Sequence, residues 1–136
     1  MNIFFLDTDT KQCAKYHCDK HVVKMILEYC QLLSTAHRVL DEDCLDDFND
    51  NILYKKTHVN HPSSVWVRQN ARNYQYVFDL LFSLNAEYRQ RYGKSHASWQ
   101  KLRFALCLYP KNISKDNIME PLCLDQAPQC MPDEYK

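Results

Sequence analysis

The sequence predicts an all-α protein, one compact domain over residues 1–136 built of about three main helices and closed by an extended segment from about 110 to 136. Two observations lead there. Gly93 is the sole glycine of the chain, and no alternation of apolar and polar residues extends beyond residues 3–6, so the period-two signature of a strand is missing. Elsewhere apolar residues recur at three- and four-residue spacing, the helical period. A chain of 136 residues is long enough for one core and too short for two comfortable ones.

The first helix is expected to start near Asp9 or Thr10, to break around residues 17–19 and to continue to about Leu40. Along it His17, His21, Lys24, Glu28, Gln31 and Thr35 fall three or four positions apart and form one polar stripe. Val22, Val23, Met25, Ile26, Leu27, Tyr29, Cys30, Leu32 and Leu33 occupy the rest of the circumference, so the helix is expected to be buried nearly all round. Such a stripe either faces water or lines a site. Titratable groups beneath an apolar flank favour the site.

The stretch DEDCLDDFND, residues 41–50, carries six acids and no base and reads as a solvated loop. Proline fits a first helical turn, so a second long helix is expected from Pro62, capped by Asn60 or His61 and ending at Gly93 in a left-handed cap. Val67, Tyr74, Phe78, Leu81 and Leu84 form its expected buried edge. A third helix, capped by Ser95, takes in Trp99, Leu102 and Leu106 and ends before Pro110. Beyond it, Pro121, Pro128 and Pro132 suit an extended segment.

A formal net charge of zero conceals a segregation. Residues 51–115 hold eleven basic side chains and two acids, a local balance of +9, and the excess is offset by the 41–50 stretch and by five acids against one base in residues 116–136. A cationic face with aromatic residues interleaved suits a polyanion, and nucleic acid in particular. The cations form two clusters. In YKKTHVNHPSSVWVR, Lys55, Lys56, His58, Asn60, His61 and Arg68 stand ahead of or within a helix start whose N–H groups suit phosphate, with Arg72 one turn on. In RQRYGKSH, Arg89, Arg91, Lys94 and His96 stand at the next helix junction. Contacts of this kind position nucleic acid without reading its sequence. Trp66, Tyr74 and Trp99 are candidate stacking platforms, with core packing the competing role.

Seven cysteines, odd in number and without a CxxC pair, point to reduced thiols rather than a disulfide framework or cysteine zinc site. Cys30 is expected simply to pack. The N-terminal MNIFFLDTD lacks the basic start and long apolar stretch of a signal peptide, and no apolar run reaches membrane-spanning length. The expectation is therefore a cytoplasmic protein without a membrane partner. No cofactor is expected. The alternative is a divalent metal on His17, His21 and Glu28, the two histidines being i, i+4 on one face.

Taken in order, HxxxHVVKMILEYCQLL from His17, NHPSSVWVR from Asn60 and NAEYRQRYGKSH from Asn85 resemble the pyrimidine-dimer DNA glycosylase family, small all-helical enzymes of the endonuclease V type found in phages and bacteria. The resemblance covers roughly residues 1–100, and the whole chain also resembles small proteins carried by tailed phages, whose setting is the host cytoplasm. It implies DNA as partner and Glu28 as the family's essential helix carboxylate. It further implies that the N-terminal amine, on Met1 or Asn2, attacks the sugar C1′ of a damaged nucleotide, and that strand cleavage by elimination follows. Leu27 and Gln31 stand where the family has arginines. Lys24 is the alternative amine, and His21 completes the candidate catalytic group. Two competing readings are a nucleic-acid-binding phage accessory protein without catalysis and a metal-dependent nuclease or hydrolase using His17, His21 and Glu28.

Overall fold

Apolar side chains on three sides of one helix must be covered, and in this chain other helices pack around it. That helix is α1, Asp19–Leu40. The computed structural model describes residues 19–42, 45 and 47–115, apart from the side chains of residues 19–21 and 47–49. Among the described residues there are four further helices and no strand: α2 (Asp47–Ile52), α3 (Pro62–Gln69), α4 (Ala71–Tyr92) and α5 (Ala97–Leu106). The protein is all-α, as its periodicity predicts. Met25, Ile26, Tyr29, Leu32 and Leu33 of α1 are buried against α3, α4 and α5, all of which pack on it. Burial of each such side chain stabilises the fold by about 1.5–3 kcal/mol. From α3 and α4, Val67, Tyr74, Leu81 and Leu84 are buried as expected, joined by Tyr76, Val77 and Leu80, while Phe78 is only partly covered. Residues 9–18, where the first helix was expected to start, and residues 116–136 of the expected extended segment lie outside the described residues.

The expected single helix from Pro62 to Gly93 is two helices. Asn70 is extended, at φ −159° and ψ 167°, and its side chain accepts the Asn73 N–H, which caps α4. The Ala71 N–H released by the break donates to the Ser114 carbonyl at 2.6 Å, and Asn73 Nδ2 donates to the Trp66 carbonyl at 2.8 Å. An asparagine side chain competes with the helix ladder for backbone groups, and here the competition is won. At the other end of α4 Gly93 closes the helix as expected, with its N–H on the Arg89 carbonyl. A Cβ there would meet nothing within reach, so the φ of +75°, not space, calls for glycine.

The acidic stretch is not a solvated loop. Asp41 is buried, and its two carboxylate oxygens accept the N–H groups of Lys111 (2.8 Å) and Asn112 (3.0 Å). Those bonds tie the end of α1 to the turn beyond α5. Asp47–Ile52 is helical, and Asp50 pairs with Arg38 at 2.9 Å. Arg38 also donates to the carbonyls of Asp50, Leu53 and Tyr54, so a partly buried guanidinium organises the segment that follows α2.

Histidines cap two of the helix starts, one as expected and one in place of a serine. His61 caps α3 and His96, not Ser95, caps α5, each ring accepting at Nδ1 the N–H two residues on, at 3.1 Å. Both bonds need an unprotonated Nδ1, and burial lowers both pKa values, aided at His61 by the neighbouring His58. A third histidine is inside. His37 Nε2 lies 2.9 Å from the Tyr74 hydroxyl, which donates to the Leu106 carbonyl at 2.7 Å. Burial pushes the His37 pKa from 6.5 to about 4, against the opposing pull of the Asp41 carboxylate and the Leu108 carbonyl.

A depressed histidine pKa means that the unfolded chain binds the proton first as pH falls. Stability is therefore full above pH 6.5 and is lost as the pH approaches 4. For His37 the loss amounts to about 3 kcal/mol. Urea unfolding followed across that window will show the decline, and His37→Gln will flatten it. A wild-type stability unchanged over the same range would contradict the assignment.

Candidate active site and nucleic-acid interface

With α3, α4 and α5 packed on its other sides, α1 keeps one side of its N-terminal half open among the described residues. Lys24 is exposed there, and Glu28 and Gln31, one and two turns on, are half-buried. The apolar flank is less complete than expected. Val23 and Leu27 are each 39% exposed, because they sit on the open side between the polar positions rather than under a neighbouring helix. Lys24 and Glu28, although i, i+4, do not form an ion pair, and no described residue pairs with the Glu28 carboxylate. Met1, Asn2 and His17 lie outside the described residues, as does the side chain of His21.

Thr35 ends the stripe and is buried. Its hydroxyl accepts the Thr57 N–H at 3.2 Å and faces the Thr57 carbonyl at 3.4 Å, fixing the 55–61 loop against α1. That loop carries the first cationic cluster. Lys55, Lys56, His58 and Asn60 are exposed and His61 is half-buried. His58 holds φ at 51°, a left-handed conformation that costs a non-glycine residue about 1 kcal/mol, and its ring Nδ1 is 2.8 Å from Thr57 Oγ1. Arg68, half-buried on α3, donates to the Val59 carbonyl at 2.7 Å and to Ser64 Oγ at 3.4 Å. It holds the loop from below, and burial lowers its pKa. Arg72 is half-buried on α4.

The second cluster meets α1 at its other end. The His96 N–H donates to Asn85 Oδ1 at 3.0 Å, the ring packs on Tyr88 at 5.3 Å, and the Val23 backbone near the ring pulls its pKa up against the effect of burial. Arg89 and Lys94 are exposed beside it, while Arg91 pairs with Glu87 at 3.5 Å. The meeting points at Val23 and Thr35 are twelve residues apart in α1, about 18 Å along its axis. Glu28 falls between them.

Trp66, Tyr74 and Trp99 are buried in the core, which removes them as stacking platforms. Trp66 meets Tyr76 edge-on and Trp99 meets Phe78 and Phe82. Large aromatic rings reach low exposure because their area dominates core energetics. Among the described residues the large aromatic side chains left in water are instead Phe82, Tyr92 and Phe104. Cys30 packs, its thiol pKa pushed up to about 12 by burial, whereas Cys107 is exposed. Among the described residues no three His, Cys, Asp or Glu side chains are grouped to hold a metal ion, and no helix is long and apolar enough to cross a membrane. A cavity of about 300 Å³ lies at the far end of α1, lined by Arg38, Glu42, Leu45, Asp50 and Lys56. Its arginine is engaged within the fold, as described above.

Residues 1–101 match the family described as pyrimidine dimer DNA glycosylase. This chain belongs to the pyrimidine dimer DNA glycosylase family. No curated protein and no solved structure matches it. Membership implies a DNA substrate. The matched stretch includes the whole of α1 to α4, both cationic clusters and the first half of α5, and it stops before the C-terminal half of α5.

Thr35→Val will remove both hydrogen bonds to Thr57 while keeping the volume, and should cost about 1–2 kcal/mol. Amide hydrogen exchange should rise locally at residues 55–61. Unchanged protection in that loop would show that the threonine pair does not fix it.

Proposed function

We propose that this family member is a DNA glycosylase acting on damaged pyrimidines, with abasic-site lyase activity, within a single helical domain spanning residues 1–136. The match over residues 1–101 is the observation that carries the reading. The geometry supports it in two ways. A half-buried Glu28 carboxylate, with which no described residue pairs, lies on the side of α1 that the described residues leave open, and cationic clusters meet α1 on either side of it. In this reading Lys55, Lys56, His58 and Asn60 on one side, and Arg89, Arg91 and Lys94 on the other, contact backbone phosphates. His61, Arg68, Arg72 and His96 shape those surfaces. Held strain at a loop residue is common where a surface must present itself in one form, and His58 fits that role.

In the chemistry proposed, a neutral amine attacks C1′. The new C1′–N bond forms as the glycosidic bond breaks, and the base departs with a proton. Ring opening then gives an iminium, and Glu28 stabilises the developing positive charge. Loss of a C2′ proton expels the 3′ phosphate and cleaves the strand. Met1 or Asn2 supplies the amine, with Lys24 as the alternative, and His21 assists proton movement. Damaged bases leave the stack at reduced cost, which contributes selectivity.

Borohydride trapping on ultraviolet-irradiated duplex tests the covalent step, because hydride converts the iminium to a stable amine. The adduct is expected on the N-terminal peptide; an adduct on Lys24 would reassign the nucleophile, and none on either damaged or abasic duplex removes the lyase claim. Glu28→Gln should lower cleavage by about a hundredfold or more while duplex binding persists. Undiminished cleavage by that variant would leave Glu28 without a catalytic role.

A further inference from the structure

The outer side of α5 lies apart from the α1 stripe and, past Lys101, beyond the stretch that matches the family. Phe104 is 69% exposed and Leu108 73%. Single exposed apolar residues are ordinary, but these are surrounded by cations. The Arg103 guanidinium lies 4.6 Å from the Phe104 ring centroid, and Lys115 Nζ lies 5.8 Å from that of Tyr109. Lys101, one turn before Phe104 on the same helix face, lies 5.0 Å from the centre of the Tyr54 ring. Beside Phe104 opens a cavity of about 190 Å³ with Phe104, Leu108 and Tyr109 as apolar lining, the exposed Lys111, and the buried His37 and Asp41 beneath. The Asp41 carboxylate that faces this cavity already accepts two backbone N–H groups, which offsets much of its repulsion of an incoming anion.

An exposed ring beside cations, with no unengaged carboxylate among the described residues that line the cavity, is the combination that holds an unpaired nucleic-acid strand. Bases stack on the rings and phosphates meet the charges. An intact duplex keeps its bases stacked inside and offers Phe104 nothing to stack on. A second copy of this chain is a poorer fit, since a two-fold contact would set Lys101, Arg103, Lys111 and Lys115 against their own counterparts. We propose that the outer face of α5 and the turn through residue 115 bind single-stranded DNA, with a base stacked on Phe104 and the backbone held by Arg103, Lys111 and Lys115. The surface is separate from Glu28 and goes beyond the glycosylase reading. It gives the enzyme a grip on an unpaired strand next to the duplex on which it acts.

Fluorescence anisotropy of a short labelled oligothymidylate with the full chain tests this. Phe104→Ala, at an exposed position that leaves the core intact, should weaken oligothymidylate binding roughly tenfold or more, whereas Phe104→Trp should keep it. Lys111→Ala should weaken it and reduce the slope of log affinity against log salt by about 0.7. Affinity for intact duplex should be unchanged in Phe104→Ala, and Glu28→Gln should bind oligothymidylate like the wild type, so failure here and failure of the glycosylase reading are separable. Equal oligothymidylate affinity for wild type and Phe104→Ala overturns the proposal. So does an equal loss for duplex, or sedimentation showing a wild-type dimer that Phe104→Ala converts to monomer.

Discussion

The burial of α1 is the constraint from which the rest of the molecule follows. Met25, Ile26, Tyr29, Leu32 and Leu33 cannot be left in water without losing several kcal/mol in total, and three helices are needed to cover them. Once α3, α4 and α5 occupy three sides, the fourth side of the N-terminal half is the one that the described residues leave open, and Lys24, Glu28 and Gln31 emerge there. The candidate catalytic carboxylate is thus a product of core packing. Its accessibility depends on which sides the neighbouring helices take.

Helix packing alone would leave the connections loose. They are fixed by a small number of polar groups, each placed where backbone groups lack partners. Arg38 gathers three carbonyls and Asp50, Asp41 takes two N–H groups of the turn after α5, and Asn70 turns one helix into two. Thr35 and Arg68 hold the 55–61 loop from α1 and from α3. Buried backbone groups must be satisfied, and charged partners satisfy them most strongly. The cationic clusters are carried by these connections, so the same bonds that close the fold also set where positive charge meets α1.

Three further polar contacts use histidine. The rings of His61 and His96 cap helices through an unprotonated Nδ1, and His37 is buried as the neutral ring. Fold integrity and the cationic surface are in that sense coupled to pH, since the segments positioned by His61 and His96 carry the candidate phosphate contacts. The outer face of α5 is built differently. Its exposed ring and cations lie on a regular helix surface and on a turn tied down by Asp41, outside the stretch shared with the family.

The sequence by itself determined the helical class, the apolar faces of α1 and α4, the glycine stop at residue 93 and the segregation of charge, because each of these depends on local period or composition. Family membership was legible in three short motifs for the same reason. It misjudged the acidic stretch, the unbroken second helix and the cap of α5, since whether Asp41, Asn70 or His96 faces water or a backbone group depends on what packs beside it. Trp66, Tyr74 and Trp99 read either as stacking platforms or as core, and they are core, while Phe104 gave no local sign of exposure. Only the tertiary structure decided those assignments, because exposure belongs to the arrangement of neighbouring helices and is absent from any stretch of chain taken alone.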